Sequence, residues 1–337
     1  MNQPRQTRGT LLLDRNEIAA LVSLEDCLDV VESAFKAHAL GETLGSGLLH
    51  VEAPSGEFHI KAGGLKTPSA YFALKANAGF FGNAERFGLP NIQGLVLLYD
   101  AENGRPLAVM DSLGITAKRT GAATAVAAKY LARPDSHIAT ICGCGTQARV
   151  QLRALAAVLP IERANAYSIV AGEAERFAAE MSEEMNIPIE PAADLGRAAA
   201  ACDVCVTCTP ARRFFLDRSF VAPGTFVAAV GADSPDKNEL DPRLVAESTL
   251  VVDLLEQCAT VGELHHAIEA GLMTKDDVHA ELGEVVAGRA PGRSSRDEIV
   301  VFDSTGTALQ DAAAAILAYE RAIEREAGRY FDFASQA

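Results

Sequence analysis

The stretch that most constrains the fold of this chain runs from residue 138 to residue 159. Residues 138–142 form an apolar run typical of a buried strand, and the pattern G-x-G-x-x-A follows directly at 143–148. A helical run then covers residues 149–159. A strand, a tight glycine turn and a helix in this order are the context in which a dinucleotide-binding fingerprint occurs. The alternative is an ordinary glycine-rich turn between a strand and a helix.

Each small residue of this turn has a physical role if a dinucleotide binds there. We expect Gly143 to allow the tight turn, and Gly145 to let a pyrophosphate approach the backbone because it has no Cβ. Ala148 would let the helix pack close to the strand. The first N–H groups of the helix lie at the positive end of its dipole and have no partner inside it. The sequence therefore predicts phosphate binding at the start of this helix.

Strands and helices alternate from residue 137 to about residue 305. The predicted strands are 138–142, 165–170, 187–190, 203–207, 226–230, 250–253 and 299–302. Such alternation implies parallel βαβ units with helices on both faces of the sheet. We therefore predict an α/β domain over residues 119–307, with a doubly wound parallel sheet of the Rossmann type.

The first part of the chain has a different pattern. A short strand and two helices are predicted before residue 40, the second helix beginning with a capping box at 23–26. Glycine and proline then punctuate short alternating runs, which predict an antiparallel or mixed sheet. These runs are 48–52, 57–61, 71–77, 94–100 and 107–110, and residues 100–104 predict a hairpin turn between the last two. Together with an Ala-rich helix over 307–329, residues 1–118 and 308–337 are expected to form a second, α+β domain.

Charge and composition exclude several classes of partner. The net charge is −15 and no run of Lys or Arg exceeds two residues, which argues against a nucleic-acid partner. No apolar run reaches the ~20 residues of a membrane span, and the first residues lack the apolar core of a signal peptide. We therefore expect a cytoplasmic protein. The 7 cysteines follow neither a secreted framework nor a zinc pattern, so we predict small buried thiols and no metal.

Four basic side chains that precede the glycine turn in the chain are candidates for ligand binding. Lys75 lies in an otherwise apolar strand, where a lysine is unfavourable unless it meets an anion or faces a cleft. Arg119 lies near the start of an Ala-rich helix over 116–131, and an arginine can hold a carboxylate bidentately. His59 and Lys61 share one face of a strand. Each of these could instead be a solvated or structural residue.

Three polar loops follow predicted parallel strands, at 207–210, 231–235 and 303–306. Ligands in open α/β sheets bind outside the carboxyl ends of the strands, so these loops and the glycine turn could form one site. Asp233 lies in the second loop and could exchange a proton with a ligand. It could equally cap a turn.

The cofactor preference depends on the end of the second predicted strand of this sheet. NAD-binding folds usually place an Asp or Glu about 20 residues after the glycines, where it binds a ribose hydroxyl. Ser168 occupies the corresponding position, and no arginine that could hold the phosphate of NADP lies beside it. The sequence favours NAD(H) and leaves NADP(H) open.

Several segments occur in an order that is specific for one family. They are ALKANAGFFGN at 73–83, GLPNIQG at 88–94, LYDAENGRPL at 98–107, TAKRT at 116–120, GCGTQA at 143–148, GADSPDKNEL at 231–240 and FDSTG at 302–306. On these segments the chain resembles the ornithine cyclodeaminase/mu-crystallin family along nearly its whole length. The resemblance implies a homodimer whose second, non-Rossmann domain forms the dimer interface and part of the substrate site.

The resemblance also implies roles for individual residues. Lys75 and Arg119 bind the substrate carboxylate, Lys75 belongs to the catalytic set, and Asp233 is the acid/base near the substrate nitrogen. His59, Lys61 and Thr305 complete the expected substrate site. The expected cofactor-binding residues are Asn91, Arg119, Gly143, Gly145, Thr146, Gln147, Ser168, Thr209, Val230, Gly231 and Ser304. The family chemistry is hydride transfer between a nicotinamide and an α-carbon that alternates between amine and imine.

Three departures from the family pattern bear on the substrate. No arginine lies between Arg15 and Arg86, where the family often has one that grips the carboxylate. Asn91 replaces the usual threonine of the GLPT segment. His59 and Lys61 stand where ornithine cyclodeaminase has a Glu and a Met. Positive side chains do not suit the distal ammonium of ornithine; they would suit a distal carboxylate, or Lys61 replaces the missing arginine.

These observations predict an NAD(P)-dependent oxidoreductase that reduces a small α-imino acid to an L-amino acid. The sharpest version is the reduction of iminosuccinate to aspartate. One alternative is ornithine cyclodeaminase, which forms proline and ammonia. The other is a nucleotide-dependent binding protein with little turnover, like mu-crystallin. We expect a small-molecule imino or amino acid as the ligand, and no nucleic-acid or membrane partner.

Overall fold

The structure of the chain is a computed structural model that describes residues 9–66 and 69–333. Residues 1–8, on which the argument against a signal peptide depends, lie outside the described residues. Within the described ranges, no helix is long and apolar enough to cross a membrane. The cytoplasmic location and the lack of a nucleic-acid partner stay predictions.

The secondary structure elements are numbered here in chain order. The strands are β1 (Thr10–Leu13), β2 (Thr43–Ala53), β3 (Gly56–Leu65), β4 (Tyr71–Gly79), β5 (Ile92–Asp100), β6 (Pro106–Asp111), β7 (Ile138–Cys142), β8 (Arg163–Tyr167), β9 (Ile189–Pro191), β10 (Val204–Thr207), β11 (Arg212–Leu216), β12 (Phe226–Ala229), β13 (Asn238–Leu240), β14 (Thr249–Val252), β15 (Ala280–Glu281), β16 (Val300–Asp303) and β17 (Arg329–Phe331). The helices are α1 (Arg15–Leu21), α2 (Leu24–Ala39), α3 (Asn83–Phe87), α4 (Ser112–Leu131), α5 (Thr146–Ala156), α6 (Glu173–Met185), α7 (Leu195–Ala200), α8 (Pro242–Ala246), α9 (Leu255–Val261), α10 (Glu263–Glu269), α11 (Leu282–Val286) and α12 (Ala308–Glu324). Short 3-10 turns occur at Arg218–Phe220 and Lys275–Asp277.

The chain folds into two compact units. Unit 1 contains the described residues up to Val30, then Gly41–Arg119, and those from Ala308 onward. Its sheet has the strand order β17-β1-β6-β5-β4-β3-β2. Neighbouring strands are antiparallel except β1 and β6, which are parallel. Helix α12 packs on β3 and β4, which gives this unit its α+β character.

The hairpin between β5 and β6 illustrates how local sequence sets this sheet. Gly104 has a left-handed φ of 78°, which a glycine adopts without strain. Its N–H donates to the Asp100 carbonyl oxygen at 2.8 Å and closes the turn. The predicted hairpin at this position is confirmed.

Unit 2 contains Val31–Leu40 and Thr120–Thr307. Its main sheet has the strand order β15-β14-β16-β12-β10-β7-β8-β9, and every pair of neighbours is parallel. The strands are buried along their whole length at β7, β10, β12 and β16, as expected of a sheet covered on both faces. The chain proceeds outward from β7 in both directions, so the topological switch point lies beside β7. The predicted Rossmann-type sheet is confirmed.

A small second sheet in unit 2 was not predicted. It pairs β11 with β13 in parallel.

The predicted buried thiols are confirmed, because the cysteines are free and all are buried except Cys208, which is partly exposed.

Several element boundaries differ from the predicted ones, and two of these differences bear on the later argument. Strand β8 ends at Tyr167, so residues 168–170 belong to the following loop. The last helix ends at Glu324 and not near residue 329, because Glu326 and Gly328 adopt left-handed φ values of 51° and 84°. The chain then returns as β17, which pairs with β1.

The predicted division places residues 31–40 in the first domain, whereas these residues pack with unit 2. Lys129 Nζ lies 2.9 Å from Glu32 Oε2. The Phe35 carbonyl oxygen approaches Gly283 so closely that a Cβ there would lie 2.5 Å away. Helix α2 therefore contributes its first half to unit 1 and its second half to unit 2. The functional roles expected of the two domains stay predictions.

Candidate functional site

Unit 1 contains a buried group of charged side chains, which we call the cationic cluster: Lys61, Lys75, Arg119 and Asp311. Lys75 Nζ lies 2.6 Å from Asp311 Oδ2, and Arg119 Nε lies 2.8 Å from Asp311 Oδ1. Arg119 Nη1 also donates to Gln310 Oε1 at 2.7 Å. All four members are almost inaccessible to solvent. Two residues predicted to bind substrate, Lys75 and Arg119, therefore contact one carboxylate.

Strand register and the packing of one helix assemble this cluster. Lys61 on β3 lies directly opposite Lys75 on β4, where Cβ atoms are about 4.5–5.5 Å apart. Gly63 shares the face of Lys61, and a Cβ at Gly63 would lie 3.0 Å from the Ala308 Cβ at the start of α12. The glycine thus allows α12 to approach this face of the sheet. Asp311, less than one turn further along α12, then reaches Lys75.

The surroundings lower the pKa values of Lys75 and Asp311, for different reasons. Burial and the positive charge of Arg119 lower the pKa of Lys75 to about 7, although Asp311 acts against them. Burial by itself would raise the pKa of Asp311, but the charges of Arg119 and Lys75 hold it below its usual value. Asp311 is therefore ionised at neutral pH, where Lys75 is near half protonation. A lysine in this state can gain a proton when an anion binds.

Sequence reasoning missed Asp311. The only signal for it was an acidic residue inside an otherwise apolar, Ala-rich helix. Such a residue is almost never fully buried unless it is paired, so its position in this helix pointed to a buried cation elsewhere in the chain.

A second group of polar residues lies on the same face of β3. His59 Nε2 lies 3.1 Å from Glu57 Oε1, and His50 Nε2 on β2 lies 3.6 Å from Glu57 Oε2. His50 and His59 are directly opposite each other in the strand pair. Glu57 was missed at the sequence level, and its carboxylate offsets the positive charge that His59 would carry when protonated. The predicted substrate residue His59 therefore comes with an acidic partner.

Asn91 lies in unit 1, in the loop after α3. Its side-chain Oδ1 accepts a hydrogen bond from the Ala84 N–H at 3.0 Å, and its carbonyl oxygen accepts one from Phe80 N–H at 2.7 Å. These bonds fasten the two ends of the 80–91 segment to each other. A cofactor contact of Asn91 stays a prediction.

The glycine turn of unit 2 has the geometry that the fingerprint requires. Gly143 has φ 98°, and a Cβ there would lie 3.0 Å from both the Cys208 carbonyl oxygen and Thr209 Cγ2. A Cβ at Gly145 would meet no atom within 4 Å, so the space in front of this residue is open. Helix α5 begins at Thr146 without a side-chain cap. Its first N–H groups are thus available to an anion.

Two buried polar atoms at predicted cofactor positions also lack partners. Gln147 Oε1 and Ser304 Oγ are buried and have no hydrogen-bond partner among the described residues. Buried polar groups without partners are rare, and a ligand is one explanation for them. Together with the open space at Gly145, these atoms fit a bound dinucleotide.

Glu239 fastens the strand-end loops that carry Thr209 and Gly231. Its carboxylate accepts hydrogen bonds from Thr207 Oγ1 and from the Thr209 N–H, both at 2.7 Å, and from the Gly231 N–H at 2.9 Å. Burial raises the pKa of Glu239, although these bonds act against it. The residue was not identified from sequence, where it is one acid among many in an acidic chain.

The loop that carries Ser304 and Thr305 is held in a similar way by Asp253. Thr305 Oγ1 donates to Asp253 Oδ1 at 2.9 Å, and the Gly306 N–H donates to Asp253 Oδ2 at 2.7 Å. The Ser304 N–H donates to the Ala229 carbonyl oxygen at 2.9 Å, which aligns the loop with the end of β12. Asp253 is fully buried, and it too was missed at the sequence level.

The remaining predicted residues lie at the ends of β8 and β12. Asp233 is partly exposed, and its Oδ1 lies 2.6 Å from Lys237 Nζ. Val230 directly follows β12 and its N–H donates to the Thr207 carbonyl oxygen at 2.8 Å. Ser168 Oγ donates to Glu173 Oε2 at 2.9 Å. An acidic side chain is thus present at the position where sequence reasoning found none.

The sequence profile of the ornithine cyclodeaminase/mu-crystallin family matches residues 8–326. The chain belongs to the ornithine cyclodeaminase/mu-crystallin family. The resemblance inferred from the sequence segments is therefore confirmed.

Three solved structures are similar over nearly the whole chain. An archaeal alanine dehydrogenase dimer with bound NAD is 39% identical, covers 96% of this chain and 99% of its own, and has a TM-score of 0.91. The Δ1-pyrroline-2-carboxylate reductase of Thermococcus litoralis, in complex with NADH and L-proline, is 37% identical over 95% and 99% of the two chains, with a TM-score of 0.90. The iminosuccinate reductase of Paracoccus denitrificans, in complex with NAD+, is 32% identical over 97% and 100%, with a TM-score of 0.89.

These relatives are oxidoreductases, and the predicted enzyme class is confirmed at the level of the family. The nucleotide in all three structures is NAD in one of its redox states, in agreement with the predicted preference for NAD(H).

Proposed function

We propose that this protein reduces a small α-imino acid to an L-amino acid with NADH as the reductant. The observation that carries the proposal is the cationic cluster, in which the buried side chains of Lys75 and Arg119 share the carboxylate of Asp311. The same two cations can bind a second carboxylate, because the single carboxylate of Asp311 offsets only one positive charge. The α-carboxylate of an imino acid supplies such an anion.

The nucleotide would be held by unit 2. The open backbone at Gly145 and the first N–H groups of α5 suit the pyrophosphate, and Gln147 Oε1 and Ser304 Oγ would gain partners. The nicotinamide supplies the hydride when NADH is bound. Glu239 and Asp253 would keep the strand-end loops in place, so that the reacting groups are held without reorganisation.

Lys75 and Arg119 would bind the α-carboxylate. Arg119 offers a planar guanidinium already oriented by Asp311 and Gln310. Lys75, with a pKa of about 7, would take up a proton as the anion binds, and a group with this pKa can also exchange a proton during the reaction. Asp233 would leave its contact with Lys237 to exchange the proton of the substrate nitrogen.

Lys61 supports the sharper assignment to a dicarboxylic imine such as iminosuccinate, which would give aspartate. It is buried beside Lys75 and lowers the pKa of both Lys75 and Asp311, so its charge acts directly on the cluster. A second carboxylate on the substrate would offset that charge. The iminosuccinate reductase among the similar structures lends further support.

Glu57 favours a second candidate, ornithine cyclodeaminase activity. It is a carboxylate on the same face of β3 as Lys61 and could receive the distal ammonium of a diamino acid. Its contacts with His50 and His59 would then have to be exchanged for the substrate.

We also propose a homodimer, in line with the alanine dehydrogenase dimer described above.

The test is an assay of NADH oxidation with ammonium and each of three oxo acids: oxaloacetate, pyruvate and glyoxylate. Oxaloacetate is expected to give the highest kcat/KM, with aspartate as the product. A parallel assay measures conversion of ornithine to proline. Proline formation in the absence of any reductase activity would overturn the proposal in favour of the second candidate. Preference for pyruvate would keep imine reduction but exclude the dicarboxylic substrate.

A further inference from the structure

The end of β8 lies beside the glycine turn of unit 2. The Gly143 N–H donates to the Tyr167 carbonyl oxygen at 2.8 Å, and Cys144 Sγ lies 3.7 Å from the same oxygen. In a doubly wound sheet this is where the adenosine ribose of a dinucleotide comes to lie. The side chains of the loop that follows Tyr167 are therefore placed to determine whether the site accepts a ribose hydroxyl or a ribose phosphate.

Ser168 and Glu173 form a hydrogen-bonded pair in this loop. Ser168 Oγ donates to Glu173 Oε2 at 2.9 Å and accepts from the Val170 N–H at 3.1 Å. Glu173 is the first residue of α6, after Gly172 with φ 77°. A carboxylate in the first turn of a helix is stabilised by the helix dipole. The serine thus fixes the carboxylate at the end of β8, although the acid comes from the next element of the chain.

The negative charge of Glu173 affects the pKa of a residue in the glycine turn. Burial raises the pKa of the Cys144 thiol to about 11, and the negative charge of Glu173 contributes to the increase. The neighbouring Arg149 is already engaged by the Cys144 and Gly145 carbonyl oxygens, at 2.8 and 3.2 Å, and by Glu180. A doubly charged 2′-phosphate would meet a carboxylate here, whereas a ribose hydroxyl could donate to it.

Two apolar side chains stand next to this pair. Ile169 is 90% exposed and Val170 is 53% exposed. Neighbouring large apolar residues with this exposure lose unfavourable contact with water when a flat, apolar ring covers them. An adenine base has that character.

We propose that Glu173, positioned by Ser168, selects NAD(H) over NADP(H), and that Ile169 and Val170 contact the adenine. The inference rests on the proposed dinucleotide-dependent function and names the residue that decides which dinucleotide is used. Glu173 binds the ribose hydroxyls and repels a 2′-phosphate. Ser168 acts through Glu173 and is a positioning residue.

The test is equilibrium binding of NADH and of NADPH to the full chain, followed by nucleotide fluorescence, without substrate. We expect the unaltered protein to bind NADH at least about tenfold more tightly than NADPH. Glu173→Gln should reduce the NADPH-to-NADH ratio of dissociation constants by about ten- to a hundredfold, the size of one hydrogen bond to a charged group. The control Glu175→Gln alters an exposed acid in the same helical turn and should leave the ratio unchanged.

A rescue experiment separates the roles of the two residues. Ser168→Ala should lower the ratio in the same direction as Glu173→Gln. The double variant Ser168→Asp with Glu173→Gln returns an acid to the end of β8 and should restore the preference for NADH. A merely structural role of Ser168 would change the melting temperature without changing the ratio.

The outcomes also separate this inference from the proposed function. Equal binding of NADH and NADPH by the unaltered protein, or an unchanged ratio in Glu173→Gln, would overturn the inference alone. Arg176 is an exposed basic residue in the first turn of α6. Tighter binding of NADPH that is lost in Arg176→Ala would assign the loop to a 2′-phosphate and overturn the inference as well. Failure of both dinucleotides to bind would overturn the proposed function together with the inference.

Discussion

Lys75 Nζ lies 2.6 Å from Asp311 Oδ2 in the interior of unit 1, and both side chains are at most 3% exposed. The pair joins the central part of a sheet to the helix near the end of the chain. Because Asp311 also contacts Arg119, one carboxylate orients two cations. In the proposed function the carboxylate of the ligand binds the same two cations, and this relationship underlies the first predictions.

Removal of the shared carboxylate should destabilise the protein strongly. Asp311→Asn leaves two buried cations without their partner, and breaking a buried ion pair in this way costs about 3–5 kcal/mol. The free energy of unfolding from urea denaturation measures the loss. The control is Glu184→Gln, which breaks the exposed pair with Arg153 and should cost less than about 1 kcal/mol. Similar losses of unfolding free energy in both variants would show that Asp311 does not stabilise the buried cations Lys75 and Arg119.

Binding of a carboxylate ligand should weaken as the pH rises above neutrality. The pKa of Lys75 is about 7 in the protein, so the free protein loses this proton as the pH rises through that value. A carboxylate prefers the protonated form, so affinity should be level below pH 7 and fall by up to about tenfold per pH unit above it. Calorimetry with succinate measures the profile. Lys75→Arg keeps its charge and should give a flat profile. If affinity in this variant falls above pH 7 as in the unaltered protein, the assignment of the pH dependence to Lys75 is wrong.

The substitution Lys61→Met should distinguish two roles of Lys61. If the lysine binds a second carboxylate, kcat/KM for ammonium plus oxaloacetate should fall by roughly ten- to a hundredfold more than for ammonium plus pyruvate. If the lysine replaces the arginine that the family usually carries, both substrates bind through it and the two losses should be equal. Steady-state kinetics on both substrates decides between these outcomes.

The two glycines of the turn should respond differently to alanine. Gly143→Ala forces a left-handed φ on a residue with a Cβ and brings that Cβ to 3.0 Å from the Cys208 carbonyl oxygen, so it should destabilise the protein by about 1–3 kcal/mol. Gly145→Ala meets no neighbour and should change stability by less than about 1 kcal/mol. If the pyrophosphate approaches Gly145, the second variant should nevertheless lose NADH affinity. Melting temperature and NADH binding, measured side by side, test both statements.

Glu239→Gln should impair nucleotide binding through the loops. The carboxylate accepts hydrogen bonds from the backbone N–H groups of Thr209 and Gly231, and an amide of the same size cannot accept all of them. We expect a loss of about 1–3 kcal/mol in stability and weaker NADH binding. The matched control is Glu247→Gln, at an exposed residue that pairs with Arg218. Unchanged NADH affinity in Glu239→Gln would show that these loops do not contribute to the nucleotide site.

Local features of the chain were enough to predict most of the architecture. The apolar run before Gly143, the spacing of Gly145 and Ala148, and the turn at Gly104 depend on residues close to one another in sequence. Their physical effects, which are burial pattern, backbone freedom and capping, are local as well. The boundary of the last helix could not be obtained in this way, because β17 exists only through its pairing with β1.

The sequence by itself determined the class of fold, the glycine turn and the basic residues that a carboxylate would need. Only the tertiary structure decided which acids accompany them: Asp311 at Lys75, Glu239 at Gly231 and Glu173 at Ser168. The physical reason is that the effect of a charge depends on its distance from other charges and on its burial. Those distances follow from strand register and helix packing between segments far apart in the chain, which no local pattern of residues encodes.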